Sequence, residues 1–268
     1  MSDLPDPSVF TGAAARDLVP LPRAAALMLW AGAYLRGDIG PDDAAIAARG
    51  SGHRHAETSG EDLFDWMTGL RRIPLVSLQL VLPVPGRIAG LIGPPAAIGA
   101  ALEAEQAIVV GAAGLADHTL VPAAEPIGSE GMRGVHVQWE RFAAPPGAAT
   151  APPMLGGSAR RDFLRSLHRA ASGTVALDLV PEEQVELASL PPGWTATLPP
   201  PGLAPSDQQQ LVLTARTLLL AGQELLSPGT ARALAEESAR AQVLRQLRDG
   251  AREALAETVG GIAADGLR

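Results

Sequence analysis

The chain predicts an α+β protein, with a mostly antiparallel sheet of about five strands flanked by N-terminal and C-terminal helices. Three observations carry this reading. Helical periodicity dominates both ends of the chain, and strand-like alternation is concentrated between residues 75 and 142. The connections within 108–142 are too short for parallel crossovers, which leaves an antiparallel meander.

Each element has its own signal. Residues 1–16, rich in Pro, Asp, Ser and Ala, read as a loose tail. Pro22 suits the first turn of a helix over 22–36, and Gly37 ends it. The apolar stretch from Ala24 to Leu35 lies between two arginines and falls well short of the roughly 20 residues a membrane crossing needs. It is therefore expected to be a buried helix. Gly40-Pro41-Asp42-Asp43 starts a second helix, with Pro at its first position and two acids at its positive end. Residues 50–59 read as a polar loop, and Ser59 followed by Asp62 is an N-cap signal for a helix over 60–71.

Val76, Leu78, Leu80 and Leu82 alternate with Ser77 and Gln79, which predicts a strand that Pro83, Pro85 and Gly86 close. Pro94-Pro95 open a short helix ending near Gln106. Further strands are expected at 108–110, 118–121 and 135–142. The last sets Val135, Val137 and Trp139 against His136, Gln138 and Glu140.

Residues 143–158 read as a Pro/Gly/Ala linker. It separates an N-terminal unit, 1–142, from a mainly helical C-terminal region, 159–268, and both can close into one compact unit. Ser158 caps a helix over 159–171, with a strand at 174–179 and a helix at 182–189 after it. After Pro-rich 191–205, Ser206 and Gln209 form a capping box for a helix over 207–226. A last helix, 230–258, carries Leu234, Ala241, Leu244, Leu247, Ala251 and Leu255 as its apolar stripe.

Composition excludes several chemistries. The 21 basic residues are all arginine, 29 residues are acidic, the net charge is −8, and cysteine, lysine and asparagine are absent. No thiol nucleophile, thiolate metal site, disulfide, Schiff-base lysine, P-loop lysine or N-linked glycan can form. The negative balance argues against nucleic acid and anionic membranes as partners. With no signal-peptide pattern, the expected location is cytoplasmic. GC-rich codon usage accounts for most of this bias without invoking function.

Three candidate sites stand out. Arg160, Arg161, Arg165 and Arg169 form a basic patch on one helix, suited to an anion or an acidic partner. A solvated helix face is the plainer reading. In an extended segment His53, His55 and Glu57 would share a face and offer two imidazoles and a carboxylate to zinc or iron(II), against a solvated loop as the alternative. Asp117-His118 is a base with a carboxylate beside it, but no nucleophile elbow accompanies it. The glycines at 86, 90 and 93 follow a strand, yet Pro94 and Pro95 remove the backbone donors a phosphate would need.

The stretch Leu78-Gln79-Leu80-Val81-Leu82-Pro83-Val84-Pro85-Gly86, with Gly90-Leu91-Ile92-Gly93-Pro94 and Ala101-Leu102-Glu103-Ala104, resembles a family of uncharacterised proteins from high-GC actinobacteria. The resemblance spans residues 20–142. It implies a shared fold and brings no catalytic residue with it.

No nucleophile, base and oxyanion site converge in the sequence. The expected function is a non-enzymatic protein-interaction or regulatory module without a cofactor, its amphipathic C-terminal helices forming the contact surface. The first alternative is a small-molecule-binding protein or enzyme with a pocket near the sheet, lined by His118, Asp117 or Arg87. The second is a metal-dependent hydrolase using His53, His55 and Glu57.

Overall fold

Strand alternation in the middle of the chain builds a five-stranded sheet in the order β2-β6-β5-β4-β3. The structure is a computed structural model that describes residues 17–50, 55–88, 90–129, 134–151, 157–174, 190–226 and 234–265. Strands β3 (Val76–Val81), β4 (Ala107–Ala112), β5 (Leu115–Ile127) and β6 (Gly134–Ala143) form the antiparallel meander expected from their short connections. Strand β2 (His55–Gly60) then adds parallel to β6 at the far edge. This corrects the reading of 50–59 as a loop. The segment HAETSG has no apolar alternation, and as an edge strand it does not need one.

The sheet has two unlike faces. Leu78, Leu80, Ile108, Val110, Leu120, Val135, Val137 and Trp139 point into the main core. The opposite face is covered by α4 (Pro95–Ala104), which packs Ala101 against Ala107 and Val121. Helix α1 (Arg23–Arg36) lies in the centre of the main core, buried from Arg23 to Tyr34 as its apolar run predicts. Gly37 ends it in the left-handed conformation, donating its N–H to carbonyls of the last turn.

The first turn of α1 lacks a capping side chain of its own. Instead Arg23 N–H donates to the Gly193 carbonyl and Ala24 N–H to Gln106 Oε1. Against α1 pack α2 (Pro41–Arg49), α3 (Leu63–Leu70) and α7 (Leu234–Ala264), and α5 (Ser158–Thr174) and α6 (Pro205–Leu226) pack in turn on α7. Residues of both the 1–142 and 159–268 segments therefore share one apolar core.

Two helix starts differ from expectation. Asp62, not Ser59, caps α3, its carboxylate accepting from the N–H groups of Phe64 and Asp65. Helix α6 begins at Pro205, with the Ala204 carbonyl accepting its first bonds, so Ser206 lies inside the first turn. A second sheet was not foreseen. Strands β1 (Val19–Pro22) and β7 (Trp194–Thr197) pair antiparallel. Threonine hydroxyls of β7 donate to the orphan carbonyls at the end of α2, Thr195 to Arg49 and Thr197 to Ala47. The expected elements at 174–179 and 182–189 fall almost wholly outside the described residues. Among the described residues, no helix is long and apolar enough to cross a membrane.

Candidate functional site

Asp117 and His118 meet as the sequence suggests, and their geometry closes off catalysis. His118 Nδ1 lies 2.6 Å from Asp117 Oδ2, and Trp66 Nε1 donates to His118 Nε2 at 2.8 Å. An indole N–H can only donate, so Nε2 must accept and the proton must sit on Nδ1, pointing at the carboxylate. Both ring nitrogens are occupied and the imidazole is 2% exposed. Burial pushes the His118 imidazole below its ordinary value, against the opposing pull of Asp117. The result is a neutral histidine that pins α3 to the sheet, with no nitrogen left to take a substrate's proton. Arg141 bridges from Asp117 to Glu61 at the surface, and its positive charge adds to the lowering of the imidazole.

The arginines of α5 find their partners close by in sequence among the described residues. Arg161 Nε donates back to the Gly157 carbonyl, Arg165 pairs with Asp162, and Arg169 Nε reaches the Arg165 carbonyl. Arg160 is placed by its own N–H, which donates to Glu257 Oε2, while Ser158 N–H donates to Glu257 Oε1. A buried carboxylate from α7 thus serves the positive end of α5. The inward side of α5 carries Ala159 and Phe163, while Leu164 is exposed.

Of the proposed metal ligands, His53 lies outside the described residues. His55 and Glu57 are backbone positions of β2, in register with Gly134 and His136. Among the described residues, no group of three potential ligands is placed to hold a metal.

A constellation the sequence reading missed lies where α4 ends. Glu105, left-handed at φ 55°, caps α4 and turns its carboxylate toward α7. Arg248 Nη2 donates to both of its oxygens, at 2.8 and 3.1 Å, and Arg252 Nη2 donates to Oε2. Burial raises the Glu105 carboxyl, but Arg252 and Arg248 together outweigh it and hold the group below the usual carboxylate value. Arg252 is buried, its Nη1 reaching toward the carbonyls of Leu82 and Pro83. Its Nε has no hydrogen-bond partner among the described residues.

These groups form one end of a cleft of about 330 Å³ between the end of α4, β7, α6 and α7. Leu82, Trp194, Leu218, Leu219, Leu225 and Leu226 give it apolar walls, and Gly222 leaves an opening on α6. Gln106 is fixed at its edge by Ala24 N–H and the Gly193 carbonyl. A second cavity, about 240 Å³, lies along β3, with Arg252 and Leu82 common to both linings. Arg87, expected at a pocket near the sheet, lines this second cavity, where Asp249 and Glu253 hold its guanidinium. His118 and Asp117 line neither cavity. The sequence offered one hint of the cleft, two arginines four apart on a helix beside the apolar stripe. Their carboxylate partner stands more than 140 residues away.

Residues 24–154, slightly under half of the chain, match the family model described as Rv1486c-like protein, N-terminal domain. The match runs from α1 through β6 and overlaps the stretch that carries the resemblance read from the sequence. It includes Glu105 and Gln106, whereas β7, α6 and α7 lie beyond it. No curated protein and no solved structure matches the chain. What the comparisons supply is similarity to this family over the sheet and the first four helices.

Proposed function

We propose that this protein is a non-enzymatic binding module that takes a small molecule with an apolar body into the cleft between β7, α6 and α7. Arg252 carries the reading. A guanidinium buried to 6% exposure costs free energy unless its donors are used, and its Nε donor is unused. It lines a cleft at the small end of the range of ligand sites, with apolar walls and a small number of polar groups. The closed Asp117–His118–Trp66 chain supports binding without chemistry. Cytosolic residence and an actinobacterial source belong to the same proposal; the absence of cysteine supports the first, and the bias toward residues with GC-rich codons, with no lysine or asparagine, supports the second.

Gly222→Leu tests this reading. A Cβ at Gly222 meets only Arg248 Nε, at 4.0 Å, and Gly222 lines the cleft, so a larger side chain there competes with a ligand for its space. Its stability should hold or rise by about 0.5–1 kcal/mol, as for glycine replaced within a helix. In a thermal-shift panel of amphipathic small molecules, compounds that stabilise the wild type should lose their effect on this variant. A panel that shifts both proteins equally, or neither, contradicts the reading.

A macromolecular partner is the second reading, favoured by the outward face of α6. There Val212, Leu213, Thr217 and Leu220 line a shallow groove flanked by Gln208 and Arg216. A partner recovered with the wild type and lost with Leu213→Asp supports it, and an unchanged set of captured proteins counts against it.

A further inference from the structure

We propose that Glu105 is a displaceable internal stand-in for the ligand's head group, and that the ligand is an amphipathic carboxylate. This rests on the cleft reading above and names what that cleft takes. Two guanidiniums, Arg248 and Arg252, share the single carboxylate of Glu105. Asp249 and Glu253 both hold Arg87, and their second charge balances the set, so a ligand carboxylate enters by exchange with that of Glu105. A ligand carboxylate in the same place meets the two Nη2 donors that Glu105 uses now, and the unpartnered Nε of Arg252 offers a third.

Three features make Glu105 the part that moves. Its side chain is 47% exposed, so it can be rehydrated when released, whereas Arg252 is buried and held by the Leu82 and Pro83 carbonyls. Its backbone is left-handed, a conformation that a non-glycine residue adopts at some cost. Finally, it sits on the cap of α4 rather than in a helix body, so a change of rotamer disturbs no helical hydrogen bond. The apolar walls from Trp194 to Leu226 then receive the ligand's hydrocarbon part.

The consequence is a variant that gains binding by losing a native interaction. Glu105→Gln keeps the size of the side chain and removes the competing charge. Octanoate is the probe, octanol the uncharged control of equal length, and calorimetric titration the readout on the full chain. Octanoate should bind Glu105→Gln at least about tenfold more tightly than the wild type, since a like charge a few ångströms away is removed. Octanol should bind both proteins equally, and Arg248→Gln should weaken octanoate alone. Octanoate binding that is unchanged or weaker in Glu105→Gln overturns the stand-in role, while the cleft reading survives if Gly222→Leu still abolishes it. Octanoate and octanol bound equally well by the wild type overturn the carboxylate assignment. Binding of neither probe to any variant overturns the inference and the cleft reading together.

Discussion

His118 shows how a residue type with catalytic potential is turned to a structural task by its neighbours. Asp117 beside it is the usual orienting arrangement, but Trp66 fills the second nitrogen and fixes the neutral tautomer. The effect on stability has a definite sign. The folded imidazole lies below the ordinary value of about 6.5, so in that interval the unfolded chain binds a proton that the folded chain refuses. The stabilising contribution is complete above that ordinary value and is lost as pH falls through the lowered one. Trp66→Phe removes the indole donor and frees Nε2 to protonate. Urea denaturation should show a loss of about 1–2 kcal/mol at pH 7, with a shallower decline toward pH 5 than in the wild type. Parallel pH profiles for the two proteins would contradict the tautomer assignment. Arg23 is a second buried polar residue with its donors satisfied. Burial lowers its guanidinium to about 10, and its Nε donates to the Pro192 carbonyl.

At the scale of elements, α1 and α7 cross without room for a side chain. A Cβ on Gly32 would fall 2.7 Å from Ala263 Cα, so the contact depends on glycine although the helix itself would favour alanine. Gly32→Ala should destabilise the protein by about 1–3 kcal/mol, measured by urea denaturation, because overpacking outweighs the helix gain. A neutral or stabilising result would mean that the two helices separate freely there. The crossing is held further by Arg36, whose Nη1 donates to the Ile262 carbonyl at 2.8 Å. Strand β7 acts in the same way for α2 and for Trp30, whose Nε1 donates to Thr197 Oγ1. The mini-sheet thereby holds both the floor of the cleft and the end of a helix.

For the whole molecule, the parts legible in sequence are those where local pattern and tertiary demand agree. The meander could be read because Val76 to Leu82 and Val135 to Trp139 alternate cleanly and bury one face. The central helix could be read because an unbroken apolar run has no solvent face to lose. Strand β2 could not, since an edge strand of polar residues carries no alternation. Strands β1 and β7 could not either. Each has four residues, Pro20 and Pro22 sit within one, and the two pair across most of the chain. The cleft is illegible for the same reason, because Glu105, Trp194, Leu219 and Arg252 are brought together by long-range packing alone. The candidates that were legible, Asp117-His118 and the α5 arginines, are local in sequence; the arginines meet partners within a few residues, while His118 is closed by its neighbour Asp117 and by the distant Trp66.

Where a small amphipathic acid binds decides the role of the cleft. Backbone and indole N–H resonances followed during octanoate titration of the wild-type chain test this directly. Progressive shifts are expected at the Trp194 indole, Glu105, Gln106 and Gly222, with the Trp66 indole unmoved. Shifts confined to α5 or to the outer face of α6, or no shifts at all, would contradict that role.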